Sequence, residues 1–216
     1  HLEIENKMQD NITNKNNSQI VKPLSGDDAQ ISSDSEVVRV FLIGYMGVGK
    51  TTVGKKLAKS LGIGFIDLDK FIESKYHKTV PELFADRGEN EFRLIEQKSL
   101  IEVSEIENVV ISTGGGAPCF FDNMELMNKT GITVYIQAEP EELAARLRAS
   151  KTVRPIVSGK AKEELVPFIT NHLSEREKFY GQAQIVYKTD HLVTKEDVYL
   201  TVNGIAYEIK KLKNDI

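Results

Sequence analysis

From position 37 onward the chain alternates short runs of consecutive apolar residues with longer stretches in which apolar positions recur every three or four residues. The short runs, 37–43, Gly64–Asp67, 108–112, 133–137 and 184–188, predict five strands. The longer stretches predict helices over Lys50–Leu61, 69–76, 89–105, 140–148 and 195–211. Runs such as "VFLI", "VVI" and "TVYI" lack the polar alternation of a half-exposed strand, so helices should cover both sheet faces. Strand and helix in alternation predict an α/β fold: a five-stranded parallel sheet with right-handed crossovers, and ligands at the carboxyl ends of its strands.

The first 36 residues break this pattern. They are rich in Asn, Ser, Asp and Gln and show no periodicity, which predicts a flexible polar leader followed by a single domain over 37–216. The leader has no apolar stretch and no arginine, unlike secretory or transit peptides.

Composition narrows the function classes. The 216 residues are 40% hydrophobic, enough for the core of one domain. A net charge of −4 without a basic stripe argues against nucleic acid as a partner. No apolar run approaches the roughly 18 residues that span a bilayer, so no membrane is expected. Cys119 is the only cysteine, which excludes a disulfide framework and suits a reducing, cytoplasmic setting; a monomer is expected. Its spacing to the four histidines matches no metal site, and no base is placed to activate it as a nucleophile, so Cys119 and His77 read as incidental.

The chemistry concentrates behind the predicted strands. After the first comes "GYMGVGKTT", in which Gly44, Gly49, Lys50 and Thr51 have the spacing of a phosphate-binding P-loop. Its glycines let successive amides point at a phosphate, Lys50 reaches the β- and γ-phosphates, Thr51 serves a Mg²⁺ ion, and the following helix adds its positive end. After the second strand, "FIDLDK" offers Asp67 and Asp69 as carboxylates for a metal and for an acceptor hydroxyl; Asp69 has the better position for a base, with helix capping as its other reading. In "GENEFRLIEQ", Arg93 and Glu96 share one helix face, either as a preoriented fork for an anionic substrate or as a solvated ion pair. The third strand ends in Gly114, Gly115 and Gly116, bare backbone that admits a ligand closely or a flexible turn. Residues 149–163 mix Arg, Lys, Gly and Pro as a mobile lid or an ordinary surface loop would. Arg176, between two glutamates on a predicted helix, reads from its neighbours alone as a surface charge.

Taken in order, "GYMGVGKTT", "FIDLD", "GENEFRLIE", "STGGGAP", "RPI" and "EREKFYGQAQ" resemble shikimate kinase from position 37 to the C-terminus. The resemblance implies a three-layer P-loop kinase fold that transfers the γ-phosphoryl of ATP to the 3-hydroxyl of shikimate, on the route to chorismate and the aromatic amino acids. It implies that Gly47, Val48, Gly49, Lys50, Thr51 and Thr52 hold the ATP phosphates. Thr51 would ligate Mg²⁺ directly, and Asp67, with Ser112, through water. Asp69 would bind the acceptor hydroxyl, Arg93 and Arg176 the substrate carboxylate, and Gly115 the ring hydroxyls, with Gly114 and Gly116 beside it in the substrate site. Glu96 would orient Arg93, and Arg154, within the lid at 149–163, would close over the phosphates; the substrate-binding segment would span about 69–105. Lys50, Asp69 and Arg154 would carry catalysis. Adenine contacts are poorly marked: Arg146 and Arg148 both lie where a stacking arginine would stand. Two other functions fit the P-loop alone, a gluconate-type small-molecule kinase and a non-catalytic nucleotide-binding regulator.

Overall fold

The structure is a computed structural model and describes residues 37–149, 162–189 and 192–214. Five parallel strands, β1 (Arg39–Ile43), β2 (Gly64–Asp67), β3 (Val109–Ser112), β4 (Ile132–Gln137) and β5 (Ile185–Lys188), form one sheet in the order β2-β3-β1-β4-β5. Among the described residues seven helices flank it: α1 (Lys50–Leu61), α2 (Leu68–Tyr76), α3 (Val80–Ser104), α4 (Asn123–Thr130), α5 (Pro140–Ala149), α6 (Lys162–Tyr180) and α7 (Lys195–Asn214). This is the expected α/β P-loop kinase architecture.

The unbroken apolar runs have the cause inferred for them. In β1, Val40, Phe41, Leu42 and Ile43 are all fully buried. Val40 and Leu42 pack with Leu57 of α1 and Ile205 of α7, while Phe41 and Ile43 pack with Ile72 of α2 and Leu100 of α3. The sheet thus separates two cores, and β1, β3 and β4 contribute alternate side chains to both, whereas β5 gives Ile185 and Tyr187 to one core and leaves Val186 exposed.

Topology decides what lies at the carboxyl edge. β3 pairs with β1 on one side and β2 on the other, with Ser112 opposite both Leu42 and Asp67. The loop after β3, which holds the triple glycine, therefore emerges between the loop after β1 and the start of α2. Three chemically loaded segments meet because the strand order inserts β3 between β1 and β2.

The helix starts explain their own local sequence. Asp67 caps α2, its carboxylate accepting from Lys70 N at 3.3 Å, and Thr79 with Glu82 forms a capping box ahead of α3, reinforced by Pro81 in the first turn. α3 is longer than expected because it contains a break: Gly88, at φ 77° and ψ 171°, separates an eight-residue first part from the 89–104 stretch that periodicity identified. α4 was not anticipated, and its sequence "NMELMNKT" explains why, since Asn and Thr have weak helix propensity and the segment is short. Among the described residues no helix is long and apolar enough to cross a membrane.

Candidate active site

The loop from β1 to α1 turns on backbone geometry. Gly44, Gly47 and Gly49 have φ of 142°, 80° and 104°, all in the region that side chains resist. Gly49 is the N-cap of α1 and supplies no side-chain hydrogen bond, and the first turn carries no acid. The N-terminal amides of α1 thus face outward with the helix dipole behind them, a site for an anion. The Lys50 ammonium is buried and donates to the carbonyls of Gly44 at 2.8 Å and Tyr45 at 3.0 Å, which stations a cation inside the loop. Arg146 braces the loop from α5, Nη1 donating to Val48 O at 2.9 Å, and its side chain also pairs with Glu142. Arg146 is therefore engaged with the loop backbone, while Arg148 donates to Ala144 O on its own helix.

Beside this loop, Thr51 Oγ1 donates to Asp67 Oδ2 at 2.7 Å. A hydroxyl and a carboxylate side by side at the start of α1 form an oxygen donor pair of the kind that suits Mg²⁺. Among the described residues no cluster of three or more His, Cys, Asp or Glu stands ready to hold a metal.

Asp69 lies in the first turn of α2, two residues past the cap. Its alternative reading as the helix cap is corrected, because Asp67 performs that task. Asp69 is half-buried and points toward the triple glycine: a Cβ added at Gly114 would lie 2.9 Å from Asp69 Oδ1 and equally close to Glu96 Oε1. A Cβ at Gly116 would lie 2.6 Å from both terminal nitrogens of Arg93. At Gly115 it would approach the Met46 amide at 3.2 Å and Arg176 Nη1 at 3.5 Å. Three consecutive glycines thus meet, in turn, two carboxylates, the phosphate loop with one arginine, and a second arginine.

Arg93 and Glu96 form a buried ion pair, Nη1 to Oε2 at 2.8 Å, with Glu96 only 1% exposed. The solvated-pair reading is overturned. Burial pushes the Glu96 carboxyl up to about 7, outweighing the pull of Arg93. Glu89 holds the opposite edge of the guanidinium, accepting from Nη2 at 3.0 Å and Nε at 3.3 Å, and the Phe120 ring lies 4.2 Å from the guanidinium carbon. An arginine has five N–H donors, so these three bonds leave two for a further acceptor.

Arg176 also departs from the surface reading of its neighbours. Nη1 donates to Gly115 O at 3.0 Å, and Tyr180, one turn later on α6, donates to the same carbonyl at 2.6 Å. Neither Tyr180, Glu89 nor Phe120 was singled out from sequence. Tyr180 and Glu89 stand four residues from Arg176 and Arg93, a helical spacing that would have flagged them.

Ser112 is buried at the end of β3, and Thr113 donates through its hydroxyl to Leu42 O at 3.2 Å, tying β3 to β1. Burial pushes the Cys119 thiol up, away from a nucleophilic thiolate, despite nearby Arg176 and Arg93. His77 terminates α2 in the left-handed conformation. Arg154 and most of the segment 149–163 lie outside the described residues.

The family model described as Shikimate kinase matches residues 46–206. The shikimate kinase of Parabacteroides distasonis is 54% identical over 167 residues, 77% of this chain and 96% of that protein. The crystal structure of shikimate kinase from Bacteroides thetaiotaomicron superposes with a TM-score of 0.79 at 51% identity, covering 81% of this chain and 99% of that one. That of Acinetobacter baumannii, solved in complex with shikimate, gives a TM-score of 0.70 at 30% identity over 81% of this chain and 94% of its own. With a P-loop, an oriented carboxylate and a buried arginine meeting at one sheet edge, the chain belongs to the shikimate kinase family.

Proposed function

We propose that this chain transfers the γ-phosphoryl group of ATP to the 3-hydroxyl of shikimate, giving shikimate 3-phosphate and ADP. The observation that carries the acceptor side is the meeting of Asp69, Arg93 and Arg176 on three successive glycines beside the loop that holds Lys50. A carboxylate that orients a hydroxyl, two guanidinium groups that suit a substrate carboxylate, and a phosphate cradle are the parts this transfer needs.

The nucleotide phosphates lie on the amides of Gly47 to Thr52, and Lys50 exchanges its carbonyl partners for phosphate oxygens. Thr51 and Asp67 would hold Mg²⁺, and the ion when bound would supply charge that neutralises the transferred group. Shikimate enters between the start of α2 and α3, its carboxylate taken by the two spare donors of Arg93 and by Arg176. Glu96 and Glu89 fix the Arg93 fork before substrate arrives, so little orientation is left to acquire on binding. Gly114, Gly115 and Gly116 leave room for the ring and its hydroxyls. Asp69 accepts the 3-hydroxyl, aligns its oxygen with the γ-phosphorus and receives the proton. Residues 37–216 act as one domain in this scheme, and Arg154 is assigned to the phosphates from the family resemblance.

Two buried or half-buried arginines facing a glycine loop would be superfluous for a neutral polyol, which sets this reading ahead of kinases for uncharged acceptors; gluconate, itself an anion, is distinguished by assay. Phosphorus NMR of the product tests it: incubation with ATP, Mg²⁺ and shikimate should yield one phosphate monoester, on the 3-hydroxyl. Phosphorylation at another hydroxyl would refute the placement of Asp69.

A further inference from the structure

The transfer described above gives no work to Tyr45 or His172. Tyr45, the second residue of the phosphate loop, is 1% exposed. Its phenol oxygen lies 3.0 Å from His172 Nδ1 on α6, and the two rings meet edge to face with centroids 5.6 Å apart and planes at 89°. The Arg176 guanidinium lies over the same tyrosine ring at 5.6 Å. The main-chain carbonyl of Tyr45 accepts from Lys50 at 3.0 Å. One residue therefore touches the phosphate-side cation through its backbone and the acceptor-side cation through its ring.

His172 stands four residues before Arg176, one turn away on the same face of α6. Phe168, a further turn back, packs against it with centroids 5.4 Å apart. Burial pushes the Tyr45 hydroxyl up to about 12, so the phenol keeps its proton. Burial and the nearby Arg176 charge hold His172 below its usual value, which leaves the imidazole neutral. A neutral imidazole with its proton on Nε2 accepts the phenol O–H at Nδ1.

We propose that Tyr45 and His172 form a strut between the phosphate loop and α6 that sets the position of Arg176, and that both are positioning residues for the acceptor's carboxylate. Arg176 has its own bonds to Gly115 and Tyr180, but those fix it only to the triple-glycine loop. The strut ties its helix to the loop that holds the phosphates, so the distance between the anionic end of the acceptor and the transferred group is set from both sides. Removing the hydroxyl leaves the loop backbone and Lys50 in place while α6 loses its tie.

The inference rests on the shikimate reading, and the wild-type protein separates the two. Absence of shikimate-dependent ADP release in wild type would count against that reading, before any variant is measured. With that release present, Tyr45→Phe should raise the KM for shikimate about 3- to 10-fold while kcat and the KM for ATP stay within about twofold, the size of one lost hydrogen bond. His172→Ala should match it, and the double variant should be no worse than either single one, as for two residues acting through one bond. His172→Gln, whose amide oxygen can accept the phenol proton, should recover most of the loss. An unchanged shikimate KM in Tyr45→Phe, equal rises in both KM values, or effects that multiply in the double variant would overturn the proposal.

Discussion

Two glycine-rich loops sit side by side at the carboxyl edge of the sheet, and they are glycine-rich for different reasons. In the loop after β1, Gly44, Gly47 and Gly49 all have positive φ, so the residue type is required by the backbone itself. In the loop after β3, none of Gly114, Gly115 and Gly116 has positive φ. There, the requirement comes from what stands opposite: carboxylates at Gly114, the phosphate loop and Arg176 at Gly115, the Arg93 guanidinium at Gly116. In the proposed function the first loop shapes amides around a phosphate, and the second removes side chains so that an acceptor can reach two arginines and a carboxylate. On that reading backbone conformation serves the nucleotide, and absent side chains serve the substrate.

The largest effect that bears on this division is at Asp69. Asp69→Asn keeps the shape and removes the proton acceptor, so turnover should fall by about 10²- to 10⁴-fold. ATP affinity, read by a nucleotide titration, should stay within about twofold; near-normal turnover would remove Asp69 from its assigned role.

A pair of glycine substitutions separates the two loops directly. Gly116→Ala puts a methyl group 2.6 Å from the Arg93 nitrogens and should raise the KM for shikimate about 10-fold or more by displacing a charge-assisted contact, with the KM for ATP nearly unchanged. Gly49→Ala, at φ 104°, costs about 1–2 kcal/mol of backbone strain and should weaken ATP binding first. If both substitutions shifted both KM values alike, the division would fail.

A smaller effect comes from the buried pair behind the second loop. The folded-state value of Glu96 lies above its ordinary carboxylate value, so the folded protein binds this proton more tightly than the unfolded chain. That contribution to stability is full below about pH 4.5 and is lost as pH rises through about 7. Glu96→Gln removes the titration. Its melting temperature relative to wild type should therefore rise between pH 5 and pH 8, on the order of several degrees. A difference independent of pH would show that Arg93 compensates the carboxylate fully.

The same contrast explains what could be read before the structure. The phosphate loop is local: strand, glycine spacing, lysine and helix follow one another, and α1 and β2 fall at the expected residues. The strands were legible because residues such as Val40 to Ile43 are buried on both faces, which leaves an uninterrupted apolar run. The acceptor side is assembled from α2, α3, the β3 loop and α6, so no single stretch reveals it. Arg176 illustrates this, since its glutamate neighbours describe a surface helix while its guanidinium meets Gly115, 61 residues earlier in the chain. Only the family resemblance pointed there. Asp69 was ambiguous for a local reason, two acids within three residues at a helix start, and the structure gives the cap to Asp67. The break at Gly88 and the short α4 escaped notice because one lies inside a helical pattern and the other lacks a strong one.

The most direct measurement is ADP release from ATP and Mg²⁺ with shikimate, with gluconate and with no acceptor. The account predicts release that depends strongly on shikimate, with gluconate no better than no acceptor. Equal release in all three conditions, or release that gluconate stimulates and shikimate does not, would contradict it.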